Sequence, residues 1–378
     1  MKQFSTTHAC IQSAIRDGII PCAAYAVGRG NDVYAKESLG SRSLFPSVED
    51  ITANTKFDMA SLTKLLATTM VALRFVEEGR LLLSDSLSRF FTEEELAGTP
   101  DGRRDATVFH LMTHTSGITP HIALWREIPP SLVDSAEFSS VVAQTILRSA
   151  PFCKVGEQVH YSCMGYMLLQ QILERISGRR LDALAEEYVF SPLGMTSTGY
   201  LPFGDNENKS LCDAAATEFS ALHGYYIRGH VHDENAHFMG GVSGNAGVFS
   251  TLDDSIRFTQ MLSLRGELPA SVGQGRFLSR RVFDLAVKDY TLGKNESRGL
   301  GFQLRPPLPA LSAAGDLFAY GSYGHTGFTG TSLYVDADTG VWAILLTNAV
   351  HLGRDKTVFF RVRRQFHNTV MAAISSRD

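Results

Sequence analysis

Apolar positions recur at helical spacing in some stretches of the chain and at strand spacing in others. Phe4, Ile11 and Ile15 fall on one side of a predicted helix over 4–17, which Gly18 ends. "PCAAYAVGRG" and "DVYAKESLG" then read as two strands around a Gly-Asn-Asp turn. A helix is predicted from near Ser61 through Leu65, Thr69, Leu73 and Val76, with Gly79 as its stop. From about 80 to 220 the pattern is helices and loops. Its clearest helix is "MGYMLLQQILERISG" over 164–178, with Leu168, Ile172 and Ile176 on one face and Gly178 closing it. Residues 200–250 are rich in Gly, Asn, His and Asp and read as long loops. "TSLYVDADTGVWAILLTN" is a hairpin through Asp338-Thr339-Gly340, and a helix over about 354–376 closes the chain.

Strands near both ends with helices between them predict an α/β (α+β) fold. The expected architecture is one antiparallel sheet flanked by helices, built from both termini, with a mainly helical region inserted. Residues 1–79 and 240–378 form the α/β region of this reading, and 80–239 the helical insert.

Composition narrows the function classes. The 378 residues are 44% hydrophobic, enough to bury a substantial core. Charged residues make up 20% and the formal net charge is -4, with no basic run, so nucleic acid is not an expected partner. Runs such as "VWAILL" at 341–346 are core-sized, so no membrane segment is expected. The N-terminus lacks the apolar core and cleavage site of a signal peptide. Five scattered cysteines without a CxxC pair read as reduced thiols. The expected location is therefore cytoplasmic.

The candidate chemistry begins at "MASLTKLL", residues 59–66. Residues three apart on a helix share a face, about 5–6 Å between Cβ atoms, so Ser61 and Lys64 can meet. A serine hydroxyl is a poor nucleophile at neutral pH and needs a neighbour to take its proton. A lysine in a desolvated site does so once its pKa falls. The spacing is common, and Ser61 also suits a helix N-cap. Two further stretches add weight. "HYSCMGYMLL" at 160–169 places Tyr161 just before a buried helix. "YGHTGFTGTSLYVD" at 323–336 starts a strand with His325 and Thr326, and Gly327 lets a substrate lie close to the strand edge.

Together these stretches resemble the serine β-lactamase and penicillin-binding-protein superfamily. Its pattern is S-x-x-K, then Y-x-N, then K-T-G or H-T-G, in that order. "LMTHTSGI" (111–118) and "GGVSGNAGVFSTLDD" (240–254) also resemble it, and the likeness runs from about residue 20 to 350. It looks closest to the class C β-lactamase-like branch, which holds D-aminopeptidases, family VIII carboxylesterases and muropeptide-processing hydrolases. The resemblance implies a β-lactamase/transpeptidase-like fold and a serine hydrolase. Ser61 would be the acylated nucleophile and Lys64 would hold or take its proton. Tyr161 would share the general-base work and protonate the leaving group. The backbone N–H groups of Ser61 and Phe328 would form the oxyanion hole. Cys163, His325, Thr326 and Gly327 would bind substrate. No cofactor or metal is implied, and "THTSG" reads as structural, its hydroxyls suiting turn capping.

Two positions depart from the pattern. Cys163 stands where the asparagine of Y-x-N is usual, and a thiol is a much weaker donor and acceptor than an amide. Family VIII carboxylesterases often lack this asparagine, so the resemblance leans toward esters over amides. His325 replaces the commoner lysine. Histidine is about half-charged near pH 6.5, so carboxylate-bearing substrates are expected to bind better at mildly acid pH.

The expected partner is a small-molecule ester, amide or cell-wall fragment; the oligomeric state is not legible. β-Lactamase or DD-peptidase activity proper is an alternative. A second alternative is zinc, because "HGYYIRGHVHDENAH" holds His223, His230, His232 and His237 beside Asp233 and Glu234. The resemblance instead makes His232, Asp233 and Asn235 part of a loop lining the cleft without metal. A third is a catalytically silent binding module on the same fold. There is no G-x-S-x-G elbow, P-loop or G-x-G-x-x-G.

Overall fold

Seven strands drawn from the two ends of the chain pair into one antiparallel sheet in a computed structural model describing residues 2–133, 135–201, 213–221 and 224–375. In chain order they are β1 (Cys22–Arg29), β2 (Asp32–Ser43), β3 (Glu49–Asp50), β4 (Gln303–Leu304), β5 (Tyr323–Thr326), β6 (Ser332–Val335) and β7 (Val341–Leu346). The spatial order is β3-β2-β1-β7-β6-β5-β4. The first and last parts of the chain meet at the β1–β7 pair, where Ala24 faces Leu346 and Arg29 faces Val341.

Alternation on the central strands explains the layers. Ala24, Ala26, Trp342, Ile344 and Leu346 face one apolar core, while Tyr25, Val27, Val341, Ala343 and Leu345 face the other. Both faces are covered, so β1 and β7 read as near-continuous apolar runs. The second core is roofed by the terminal helices α1 (Ser5–Arg16) and α5 (Thr357–Ser375), through Ile11, Ala14, Phe359, Phe366 and Val370. The first is covered by α4 (Leu252–Ser263) and merges with the helical part of the chain, including α3 (Cys163–Ser177). At Gly28 a Cβ would sit 2.2 Å from Trp342 Cζ2, so only glycine lets that indole lie across the strand bulge.

The predicted α+β architecture stands: an antiparallel sheet from both termini, with helices inserted between. Details differ. The helix after Ser61 opens as a π-helical segment, Lys64–Thr69, and becomes α-helical only over Met70–Glu77, here α2. The stretch 200–250 is more structured than a run of loops. It holds a strand pair, Phe219–Ser220 with Tyr225–Tyr226, a helical turn Glu234–Phe238, and the strand Val248–Ser250. That last strand pairs with Phe57–Asp58 and with Gly199–Tyr200, which fixes the approach to Ser61. Among the described residues no helix is long and apolar enough to cross a membrane.

Candidate active site

Ser61 sits at the end of a tight turn. Asp58 is buried and accepts the Ala60 N–H at 2.8 Å and the His232 N–H at 2.7 Å. Ala60 is forced into the left-handed region, φ +46°, which costs an L-residue about 1–2 kcal/mol. The strain is held by Asp58 and by Met59, whose N–H donates to Val248 O at 2.9 Å. The outcome is a serine presented at the head of the π-helical segment and facing a cleft.

Lys64 is fully buried behind it. Its Nζ donates to Ser61 Oγ at 3.0 Å, to Asn245 O at 3.1 Å and to Cys163 Sγ at 3.5 Å. Tyr161 enters from the segment before α3, with Lys64 Nζ 4.8 Å from its ring centroid. The tyrosine hydroxyl is shielded from solvent and lies against Lys64 and Ser61. Burial pushes the Tyr161 phenol up, with the Lys64 charge opposing. For Lys64, burial alone would favour the neutral amine, but the pull of Cys163 and Tyr161 raises the ammonium above its ordinary value. The sequence expectation that this lysine's pKa falls is therefore corrected. Three neighbours hold the ammonium, and burial acts against two groups at once.

The turn at "THTSG" sets Tyr161 in place. His114, in left-handed backbone (φ +56°), packs its ring 4.6 Å from that of Tyr161 and accepts the Ser162 N–H at Nδ1 (3.1 Å). Burial, with Arg298 and Lys64 nearby, holds His114 well below the usual histidine range. It is a neutral prop.

The third edge of the site is the end of β5. His325 Nδ1 lies 2.8 Å from Thr326 O, so that nitrogen carries the proton and Nε2, buried without a partner, keeps a free lone pair. Burial first, then Arg298 and Lys64, holds His325 well below the usual histidine range. His325 is thus a neutral acceptor across pH 6–8. The expectation that it titrates there to favour carboxylates is corrected. Gly327 also has a different cause from the expected one. A Cβ there would meet Thr331 Oγ1 at 2.1 Å and Met59 O at 2.5 Å, so the glycine lets the strand end close on the Ser61 turn. Neither the Ser61 nor the Phe328 N–H has an internal acceptor among the described residues. Lys356 donates from Nζ to Phe328 O and lies over that ring. Burial, with Arg363 and Arg354, lowers Lys356 to about 7.

Ser61, Tyr161, His325, Thr326, Gly327 and Phe328 line one cleft of about 540 Å³, and Cys163 reaches it through Lys64. Sequence reasoning missed Asn245, Arg298, Lys356 and Arg363. Asn245 lies within the quoted "GGVSGNAGVFSTLDD" stretch, whereas no local signal marked the three cations. His232, Asp233 and Asn235 are not among the residues lining this cavity, and His232 adjoins it through Phe328. His232 stacks behind Phe328, 5.6 Å between rings, with Nε2 3.1 Å from Glu218. Asp233 caps a helical turn by accepting the Ala236 N–H. Asn235 ties down 122–124, donating to Ile122 O and accepting the Leu124 N–H. Among the described residues no three His, Cys, Asp or Glu side chains converge as metal ligands, and His223 lies outside them.

Comparison with known proteins gives the family and the fold. Residues 8–366 match the family described as Beta-lactamase. The chain is 30% identical over 320 residues to the "Putative D-alanyl-D-alanine carboxypeptidase" of Escherichia coli (strain K12), covering 79% of this chain and 70% of that one. It is 27% identical over 354 residues to the "N-acetylmuramyl-L-alanine amidase" of Bacillus subtilis (strain 168), covering 89% and 76%. The structure of "EstCE1, a hydrolase with promiscuous acyltransferase activity" superposes with a TM-score of 0.75 at 19% identity, covering 98% of this chain and 99% of that one.

Proposed function

The chain belongs to the β-lactamase family and is a serine hydrolase acting by acyl transfer; from that premise we propose that Ser61 carries the acyl group in hydrolysis of small carboxylic esters and D-amino-acid or muropeptide-type amides. The observation that carries this reading is the 3.0 Å contact from Lys64 Nζ to Ser61 Oγ, inside a cleft that also holds Tyr161. It is hydrogen-bond distance between a nucleophile and the group that manages its proton.

The steps follow from the positions. The Lys64–Tyr161 pair takes the Ser61 proton as Oγ attacks the substrate carbonyl. The oxygen of the tetrahedral intermediate receives the N–H groups of Ser61 and Phe328. The pair returns the proton to the leaving group, which departs as an alcohol or amine and leaves an ester on Ser61. Water, deprotonated by the same pair, cleaves that ester and restores the serine. Thr326 and Gly327 line the wall along which the substrate lies, and the neutral His325 Nε2 accepts a substrate N–H or O–H. The names of the relatives support cell-wall fragments as substrates, while the thiol at Cys163 supports esters. Unpaired thiols at Cys10, Cys22, Cys153 and Cys163 support a cytoplasmic location.

Intact-mass analysis after mixing with a slowly released acyl donor tests the reading. A single acyl adduct on the peptide holding Ser61 is expected; an adduct elsewhere, or none while substrate is consumed, overturns it.

A further inference from the structure

The mouth of the cleft is rimmed by apolar side chains turned to solvent. Leu311, Phe328 and Phe360 line the cavity that holds Ser61, yet they are 77%, 45% and 47% exposed. Leu311 belongs to the loop 305–321, whose Leu308 and Leu317 are 64% and 52% exposed. The loop is fixed on α5. Its Asp316 N–H donates to Asn368 Oδ1 at 2.7 Å, and its Ala314 and Phe318 are buried with Phe366 and Val370 of that helix. The inner apolar residues of the loop are thus used in packing, while three leucines are left outside. A soluble monomer rarely exposes such a patch without using it.

Positive charge flanks the patch. The segments 305–321 and 354–366 carry six Lys or Arg against two Asp, Asp316 and Asp355. Arg354 is held by Glu218 and Glu234. Arg361 and Arg364 have no ion pair among the described residues. Both lie on the face of α5 that carries Asn368, at positions i, i+3 and i+7, and so stand beside the tied loop. Arg364 is also one turn from Phe360.

From this pairing of exposed apolar groups with unpaired cations we infer that the rim docks on an anionic lipid surface, with the cleft opening toward the bilayer. The leucines and Phe360 enter the boundary of the acyl chains, and Arg361 and Arg364 meet the headgroup phosphates. A second copy of the chain suits the patch less well. A two-fold contact through it sets the unpaired cations of both copies against each other. The inference goes beyond the hydrolase reading and does not depend on it, because docking is read without turnover. Taken with that reading, it brings Ser61 to amphiphilic esters and amides dissolved in the bilayer.

The test is co-sedimentation with vesicles of phosphatidylcholine alone and of phosphatidylcholine mixed with phosphatidylglycerol at about three to one. Every protein carries Ser61→Ala, so no lipid is cleaved. Beside this parent stand Leu308→Ser with Leu311→Ser, Arg361→Gln with Arg364→Gln, and the control Val48→Ser. Val48 is 69% exposed and lies beside β3, at the opposite edge of the sheet from β4. Circular dichroism checks that each is folded. The parent is expected to bind the anionic vesicles more than threefold better than the neutral ones. The leucine pair is expected to lower binding to the anionic vesicles more than threefold, and the arginine pair to lower it roughly tenfold. Val48→Ser is expected to match the parent. Absent binding, or equal binding to both vesicles, overturns the inference. So does either pair within threefold of the parent, or a Val48→Ser that falls as far as the leucine pair. A parent that runs as a dimer on gel filtration, with the leucine pair running as a monomer, overturns it in favour of a second copy.

Discussion

Lys64 Nζ and Cys163 Sγ lie 3.5 Å apart, so a thiol occupies the position from which a side-chain amide would meet the lysine. A sulfur is a weak acceptor, and it cannot present a carbonyl to the lysine and N–H groups to a substrate together. Cys163→Asn is therefore expected to raise kcat/KM for an amide relative to an ester of the same acyl group, by about tenfold for one added charge-assisted bond. Paired p-nitroanilide and p-nitrophenyl ester assays check this. An unchanged or lowered ratio counts against a role for Cys163 in choosing esters.

The pH dependence follows from the Lys64–Tyr161 pair. Both groups are held above their ordinary values, so the proton-accepting form of the pair is scarce at neutral pH and grows as pH rises. kcat/KM for a neutral ester is expected to climb from pH 6 to pH 9, corrected for spontaneous hydrolysis. His325 and His114 are held neutral by burial and add no step near 6.5, while Lys356, lowered to about 7, titrates inside this range, so the profile is read in Lys356→Met beside wild type. A profile that is flat or falling over this range contradicts the assignment of the base.

Tyr161 has a shielded hydroxyl directly beside the lysine and Ser61. Tyr161→Phe keeps the ring against His114 and removes only the proton carrier. A loss of roughly 10²–10⁴ in kcat is expected, with the folded state retained by circular dichroism. Near-wild-type turnover would reduce Tyr161 to a packing residue.

Much of this architecture is legible in the pattern of residues because each part is fixed locally. The apolar run at 341–346 is a central strand, and Gly178, at φ +70°, closes the helix whose face carries Leu168 and Ile172. Ser61 and Lys64 are legible for the same reason: three residues of one turn decide their contact. What is not legible depends on distant chain. The neutrality of His325 comes from burial and from Arg298 and Lys64, far away in sequence. Arg361, Arg363 and Arg364 are alike in the sequence, yet only Arg363 of the three is buried, because its side of α5 packs toward the sheet. The bonds of the histidine-rich stretch are not legible either, because side-chain type alone does not reveal that Asp233 caps a helical turn and Asn235 braces 122–124.

Gly327 gives a stability test of the junction between β5 and the nucleophile turn. An added methyl would lie 2.1 Å from Thr331 Oγ1 and 2.5 Å from the Met59 carbonyl. The hydroxyl can rotate away, but the carbonyl cannot. Gly327→Ala is expected to destabilise the protein by about 1–3 kcal/mol and to displace Ser61 from the Phe328 N–H. Urea unfolding and ester turnover read the two effects. Unaltered stability and turnover would mean that the strand end and the turn are not packed as described.

The most direct measurement is hydrolysis of p-nitrophenyl butyrate by wild type beside Ser61→Ala, at equal protein concentration. Wild type is expected to turn the ester over while the alanine variant stays at the uncatalysed rate within error, with both proteins equally folded. Equal turnover by the two would contradict the account, because the 3.0 Å contact between Lys64 and Ser61 would then have no part in the chemistry.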